Sequence, residues 1–209
     1  MKKYLVEFIG TFVLVLTIGM TVIGRDPNNF LPALAIGSAL MVMVFAGGHV
    51  SGAHYNPAVT LGVWLRGRCA ALDVPGYLIA QVLGAVAAAK LALLFKGNPA
   101  IEAGNPDVVR ALLAEFVGTF ALVYVVLNVA TAKGTANNSF YGLAIGFTVL
   151  AMAYTLGGIS GGAFNPAVAI GGAVMGLTKA SNLWLYFVGN LTAGLVAALS
   201  FKFINPEDK

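Results

Sequence analysis

Six apolar stretches, each long enough to cross a lipid bilayer, constrain this chain more than any other feature. They cover approximately residues 4–23, 31–47, 74–95, 109–131, 139–157 and 182–204. A helix needs about 20 apolar residues to span the hydrocarbon core of a membrane. Because no water is present there to satisfy backbone N–H and C=O groups, such stretches must form helices. The sequence therefore predicts an all-α, multi-pass membrane protein.

The composition argues against the soluble classes of protein. Hydrophobic residues make up 59% of the chain and charged residues 10%, whereas a soluble domain carries roughly 25% charged residues. The net charge of +4 comes from scattered Lys and Arg residues, without the basic, aromatic-containing stripe that indicates nucleic-acid binding. We find no nucleophile–base pair, phosphate loop or cluster of metal ligands in the sequence. The expectation is a protein without enzymatic activity, cofactor or metal.

The chain contains one unit twice. Residues 5–12 (LVEFIGTF) match residues 113–120 (LAEFVGTF), and the Asn56-Pro57-Ala58-Val59 motif recurs as Asn165-Pro166-Ala167-Val168, 109 positions later. Since each unit holds an odd number of spans, the second must be inverted in the membrane relative to the first. The two predicted units are residues 1–100 and residues 107–209.

Each unit also holds an apolar piece too short to cross, near residues 57–65 and 166–176, and each piece begins with Asn-Pro. Asn suits the N-cap of a helix and Pro its first position, so we predict two re-entrant half-helices. The glycine-rich segments before them, 47–54 and 157–163, cannot be helical throughout. Such backbone is tolerated at membrane depth only where it lines a watery cavity. The positive ends of two half-helices meeting there would repel cations and protons but not neutral molecules.

Residues 51–62 (SGAHYNPAVTLG) and 160–171 (SGGAFNPAVAIG) resemble the two signature loops of the aquaporin, or major intrinsic protein, family. The resemblance extends over essentially the whole chain. It implies a homotetramer in the lipid bilayer, in which each protomer has its own pore for water or small neutral solutes. It also implies that Asn56 and Asn165 are the central hydrogen-bond donors of that pore. The residues whose backbone carbonyls would line the path are Gly52, Ala53, His54, Gly161, Gly162 and Ala163.

The predicted selectivity filter departs from the family pattern. Most relatives have arginine three residues after the second motif's Asn, where this chain has Val168. By the family's spacing, the other filter positions are Ile36, Ala153 and Gly162. A filter without a ring or a charge is wider and more apolar, and it lacks one barrier to cations. It resembles that of certain plant vacuolar aquaporins, which implies passage of ammonia, urea, hydrogen peroxide and glycerol; the alternative is a strict water channel.

Two acidic residues, Glu7 and Glu115, lie at equivalent positions within apolar spans. An acid inside a membrane is a functional candidate by default, including as a proton relay. We favour a structural role in which both accept hydrogen bonds from backbone N–H groups of the re-entrant loops. Gln81 is predicted to donate to a loop carbonyl, and Gly10, Gly84, Gly118 and Gly194 to permit close helix contacts.

Two further functions compete with a passive channel. A coupled secondary transporter would need a titratable site in the path, but Glu7 and Glu115 fall near helix ends. A non-conducting structural protein would need a plugged lumen, which small filter residues do not supply.

The side predicted to hold both termini also holds more basic residues, namely Lys2, Lys3, Arg66, Arg68, Lys133, Lys202 and Lys209, against Arg25, Lys90, Lys96, Arg110 and Lys179 on the other. This bias predicts cytoplasmic termini, and the short termini favour a prokaryotic inner membrane.

Overall fold

The computed structural model of the protein describes residues 1–24 and 29–208. Within these ranges the only regular structure is helical, and the all-α prediction is confirmed. The eight α-helices are α1 (Lys2–Val22), α2 (Leu31–Ser51), α3 (Pro57–Leu65), α4 (Val74–Phe95), α5 (Val108–Val126), α6 (Tyr141–Ser160), α7 (Pro166–Val174) and α8 (Leu183–Ile204). Two basic residues used to predict the orientation, Arg25 and Lys209, lie outside the described residues.

Six of the helices are long and apolar enough to span a membrane, and the two others are the nine-residue half-helices α3 and α7. The architecture of six spans and two half-helices is therefore confirmed. Short turns of 3-10 helix precede α4 and α8, at Ala71–Asp73 and Ala180–Asn182. The last turn of α5 widens into a π-helix at Leu127–Thr131.

The second and fifth spans are longer than predicted. We expected these spans to end near residues 47 and 157, but α2 and α6 continue to Ser51 and Ser160. Their glycines therefore do not interrupt the helix. Gly47 instead makes room for a neighbour, since a Cβ there would overlap the hydroxyl group of Tyr55. Only four residues before each motif, 52–55 and 161–164, are non-helical.

The half-helices pack against the opposite repeat. α1 packs on α4 and α5 on α8 within the repeats, whereas α3 contacts α8, and α7 contacts α4. Glycine permits the closest of these approaches: a Cβ at Gly194 of α8 would lie 2.7 Å from the carbonyl oxygen of Ala58 in α3. Each half-helix is thus held by a span of the other repeat, as an inverted repeat requires.

The small residues predicted at helix contacts fall into two groups. A Cβ at Gly84 would lie 2.5 Å from the backbone carbonyl oxygen of Phe8, so Gly84 lies at a helix–helix contact. Gly10 and Gly118 face the loops instead, because a Cβ there would overlap the rings of Tyr55 and Phe164. These two glycines therefore position the re-entrant loops rather than two spans.

Candidate functional site

The two half-helices begin with the same capping geometry. Asn56 and Asn165 have extended backbones, with φ of −157° and −165°, and are the N-caps of α3 and α7. The Oδ1 atom of Asn56 accepts from the N–H of Ala58 at 2.8 Å, and that of Asn165 accepts from the N–H of Ala167 at 2.9 Å. The first helical residues are Pro57 and Pro166, whose missing N–H costs nothing at that position.

The amide groups of the two asparagines join the two loops reciprocally. Nδ2 of Asn56 donates to the carbonyl oxygen of Phe164 at 2.9 Å, and Nδ2 of Asn165 donates to that of Tyr55, also at 2.9 Å. The sequence predicts that these amide groups point into the lumen, whereas one N–H of each is used by this cross-connection. The second N–H of each amide has no such partner within the described chain.

Both loops contain residues in the left-handed backbone region. Ala53, Tyr55 and Phe164 have φ of 52°, 50° and 46°, and such a backbone costs a residue with a Cβ of the order of 1–3 kcal/mol. Gly162, with φ of 66°, takes the place of Ala53 in the second loop without that cost. Such strain persists only where the surroundings impose it.

Glu7 imposes the conformation of the first loop. Its Oε1 accepts from the hydroxyl of Ser51 at 2.7 Å and the N–H of His54 at 2.9 Å. Its Oε2 accepts from the N–H of Tyr55 at 2.6 Å and from Nε2 of Gln81 at 2.8 Å. Gln81 therefore donates to the buried acid rather than to a loop carbonyl, because its side chain lies beside the carboxylate.

Glu115 holds the second loop through equivalent bonds. Its Oε1 accepts from the hydroxyl of Ser160 at 2.7 Å and the N–H of Ala163 at 2.9 Å, and its Oε2 accepts from the N–H of Phe164 at 2.7 Å. Glu7 and Glu115 are both fully buried. Neither lines the cavities described below, so the geometry of both acids is that of acceptors for the loops.

A cavity of about 520 Å³ lies against both loops and both asparagines. All four predicted filter residues line it: Ile36, Ala153, Gly162 and Val168. Of the residues predicted to supply carbonyls, five line it: Ala53, His54, Gly161, Gly162 and Ala163. Among the described lining residues, none carries a carboxylate, ammonium or guanidinium group.

Gly52, the sixth predicted carbonyl residue, lines a second cavity of about 690 Å³. The segment that follows α5, residues 129–138, forms much of the wall of this second cavity. His54 and Val126 line both cavities. The two cavities therefore adjoin at these two side chains.

Several polar groups of the site were not predicted from the sequence. Asn29, Tyr154 and Thr178 line the first cavity. Thr60 was also missed, although its Oγ1 lies 3.1 Å from Nδ1 of His54. A signal for Thr60 was present, since the second motif has Ala169 at the equivalent position.

The model of a family described as "Major intrinsic protein" matches residues 1–201 of the chain. Similar proteins include "Glycerol uptake facilitator protein-like 6" of Lactiplantibacillus plantarum, 36% identical, with all of both chains covered. "Aquaporin AqpM" of Methanothermobacter marburgensis is 33% identical, covering 99% of this chain and 98% of that protein. "Aquaporin NIP1-1" of Oryza sativa subsp. japonica is 38% identical, covering all of this chain and 76% of that protein.

The fold is also similar to a solved structure, described as "X-ray structure of the aquaglyceroporin from Plasmodium falciparum". The TM-score is 0.84, with 25% sequence identity, and the match covers 99% of this chain and 97% of the other.

Proposed function

Because the chain belongs to the major intrinsic protein family, we propose that it passes ammonia, urea, hydrogen peroxide and glycerol as well as water. It is an integral, multi-pass membrane channel of the aquaporin and aquaglyceroporin type, for water and small solutes. The proposal concerns the range of solutes. The observation that carries it is Val168, an uncharged aliphatic residue on the cavity wall where the family pattern has arginine.

The other three filter residues support a wide constriction. Ile36, Ala153 and Gly162 bring no ring, charge or hydroxyl group to the cavity wall. A solute with a carbon skeleton meets apolar surface there, together with the carbonyls and amides of the loops. Pore width and lining hydrogen-bond groups decide which neutral solutes pass, and both favour solutes larger than water.

Exclusion of cations rests in this proposal on the half-helices. Each helix N-terminus carries the equivalent of about half a positive charge, and Asn56 and Asn165 place two of these ends beside the same cavity. Their amide groups add donors and no acceptor toward the opposite loop. A cation entering between them is repelled, whereas a neutral solute is not.

Stopped-flow light scattering on proteoliposomes tests the solute range, with osmotic shocks for water and parallel gradients of glycerol, urea and ammonia. Val168→Arg is compared with Val168→Leu, which adds bulk without charge. We expect the native protein to pass all four. The arginine variant should retain water while glycerol permeability falls at least about tenfold, equivalent to ~1.4 kcal/mol in the barrier.

Passage of water alone by the native protein would contradict the proposal and support a strict water channel. Equal losses in the leucine and arginine variants would assign the effect to size alone. A flux that saturates and depends on a proton gradient would instead support a coupled transporter. The saturated hydrogen bonding of Glu7 and Glu115, away from the cavity, argues against coupling.

We further propose that the protein is a homotetramer with both termini in the cytoplasm of a prokaryotic cell. The orientation rests on the distribution of Lys and Arg. The location is supported by the bacterial and archaeal proteins among the relatives. Labelling of Cys69, the only cysteine, by a membrane-impermeant maleimide should occur in inverted vesicles and not in intact cells.

A further inference from the structure

His54 occupies the place where the two cavities adjoin. The residue is only 6% exposed, and its ring packs against that of Tyr77 with the centroids 4.9 Å apart. Nδ1 of His54 lies 3.1 Å from Oγ1 of Thr60, whereas Nε2 makes no hydrogen bond to any described residue. A neutral imidazole donates from one nitrogen and accepts at the other. The hydrogen bond at Nδ1 therefore decides what Nε2 presents to the lumen.

Thr60 has three polar neighbours around one hydroxyl group. Its Oγ1 lies 3.0 Å from the carbonyl oxygen of Asn56, 3.0 Å from Nε2 of Gln81 and 3.1 Å from Nδ1 of His54. A threonine hydroxyl has one hydrogen to donate and two lone pairs that accept. All three contacts are hydrogen bonds only if exactly one neighbour accepts and the other two donate.

The role of Gln81 follows from its second partner. Nε2 of Gln81 also lies 2.8 Å from Oε2 of Glu7. Each oxygen of Glu7 already accepts from a backbone N–H, at 2.9 Å and 2.6 Å, which is the arrangement of an ionised carboxylate. Such a group only accepts hydrogen bonds, so the amide nitrogen of Gln81 rather than its amide oxygen faces it. One hydrogen of Nε2 is then donated to Glu7 and the other to Thr60. This leaves Thr60 with one free lone pair and its own hydrogen.

The carbonyl oxygen of Asn56 can only accept, so it takes the hydrogen of Thr60. His54 must then donate from Nδ1 into the remaining lone pair. We propose that Thr60, oriented by Gln81, holds His54 in the tautomer protonated at Nδ1, so that Nε2 presents a hydrogen-bond acceptor to permeating solutes. The opposite tautomer would require Thr60 to turn its hydrogen to His54 and lose the bond to Asn56.

The consequence for transport rests on the proposed function. A solute leaving the asparagines toward the second cavity meets an acceptor at Nε2 of His54, after donors at Asn56 and Asn165. Water, ammonia, urea and glycerol can each donate a hydrogen bond there, whereas a neutral solute that only accepts, such as acetone, cannot. Thr60 is thus a positioning residue that favours solutes bearing N–H or O–H groups.

The second repeat contains no equivalent device. Ala163 and Ala169 occupy the positions that correspond to His54 and Thr60. Both loops are held by a buried glutamate, so the Thr60–His54 bond is not needed to form a re-entrant loop. It is present only where the two cavities adjoin.

Magic-angle-spinning ¹⁵N NMR of histidine-labelled protein in lipid bilayers reads the tautomer directly. The chain has two histidines, and His49→Gln assigns the signals, because His49 is exposed. We expect Nδ1 of His54 to be the protonated nitrogen in the native protein. Thr60→Val, which removes the hydroxyl at nearly constant volume, should shift the population toward protonated Nε2, and Thr60→Ser should restore the native spectrum.

Protonation at Nε2 in the native protein would overturn the proposal, as would a native spectrum in Thr60→Val. Should the valine variant not fold, Thr60→Ala takes its place, since alanine occupies the equivalent position of α7. The native spectrum alone still decides the tautomer. The NMR measurement does not depend on transport. If Nδ1 of His54 is protonated in a protein that passes only water, the proposed solute range is refuted and the proposed tautomer stands.

Transport supplies the second readout. In Thr60→Val, the ratio of acetone to urea permeability should rise about two- to tenfold, the range expected for one neutral hydrogen bond. Thr60→Ser should keep the native ratio. An unchanged ratio together with an altered tautomer would show that Nε2 does not contact the solutes.

Discussion

The two re-entrant loops are held by the same hydrogen bonds but are surrounded by different side chains. In each, a buried glutamate accepts from a serine hydroxyl and two consecutive backbone N–H groups. A tyrosine hydroxyl then donates to the carbonyl of that serine, from Tyr77 in the first repeat and Tyr186 in the second. These shared bonds hold the non-helical segment of each repeat at membrane depth.

The side chains beyond these bonds differ. In the first repeat, Gln81 connects Glu7 to Thr60. In the second, Asn190 takes the position of Gln81, and its Oδ1 accepts from the hydroxyl of Thr119 at 2.9 Å. The chain from Glu7 through Gln81 and Thr60 to His54 on the cavity wall is thus confined to the first loop. We conclude that the shared bonds form the loop, and the others adjust what it presents.

The largest difference between the loops should appear on removing each acid. In Glu7→Gln, the new amide nitrogen replaces a carboxylate oxygen that accepts two hydrogen bonds. Two buried donors then lose their acceptor, which should lower the free energy of unfolding by about 2–6 kcal/mol. Glu115→Gln should cost less, because Glu115 accepts three hydrogen bonds and Glu7 accepts four. Thermal unfolding in detergent measures both.

Glu7→Asp and Glu115→Asp provide the control, because they keep the charge and shorten the reach. Equal destabilisation by the two glutamine substitutions would mean that the Gln81 bond adds nothing to the first loop.

A smaller effect is expected from a methyl group on each loop-facing glycine. Gly10→Ala and Gly118→Ala place a Cβ against the rings of Tyr55 and Phe164, and overpacking of this kind costs about 1–3 kcal/mol. The hydroxyl of Tyr55 donates to the carbonyl of Met43 at 2.9 Å, so the far end of this ring is held by a hydrogen bond, whereas the ring of Phe164 has no hydroxyl group to hold it. Gly10→Ala should therefore be the more destabilising in the same unfolding assay.

Tyr55→Phe tests that explanation. In a double-mutant cycle, Gly10→Ala should cost less in the Tyr55→Phe background than in the native one. If the cost is unchanged, the hydroxyl bond is not what holds the ring in place.

The smallest effect concerns the far ends of the half-helices. After α3, the buried Arg66 donates to Asp208 at 2.5 Å, and the N–H of Lys133 donates to the other oxygen of Asp208 at 2.8 Å. After α7, the equivalent position holds Met175, an apolar residue that is 2% exposed. The first end is thus tied to the segment after α5 by a charged group and the second is not.

The N–H of Lys133, followed by the charge of Arg66, lowers the pKa of Asp208 below its ordinary value. A group with a depressed folded-state pKa stabilises above its unfolded pKa and loses that contribution as pH falls through the folded value. Protection of the Lys133 amide from hydrogen exchange should thus persist at neutral pH and decline only below about pH 4. Asp208→Asn should remove the pH dependence, and residues 175–178 should not show it.

The sequence predicted the fold because its signals were strong and local. Apolar length identified the six spans, and Asn-Pro marked both half-helices at their observed first residues, Pro57 and Pro166. Helix ends were less well predicted. Glycine before the motifs indicated unwinding, but Gly47 is helical and accommodates Tyr55. A glycine that permits close packing and one that breaks a helix cannot be distinguished without knowing what lies opposite.

The site was predicted only in part, for a similar reason. Comparing the repeats identified Glu7 and Glu115, but the partners of Gln81 depend on how α1, α3 and α4 pack together. The cross-connection of Asn56 to Phe164 joins residues 108 positions apart, and no spacing rule indicates it. Contacts of this kind are set by tertiary packing, which the pattern of one sequence does not contain.

The reciprocal asparagine bonds have a consequence for biosynthesis. The amide of Asn56 has no acceptor until Phe164 has been translated, and the carbonyl of Tyr55 has no donor until Asn165 follows. The first loop therefore lacks both of these hydrogen bonds until the second half of the protein has been synthesised. Split between α4 and α5 and produced as two polypeptides, the halves should complement each other in the membrane, and neither should conduct alone.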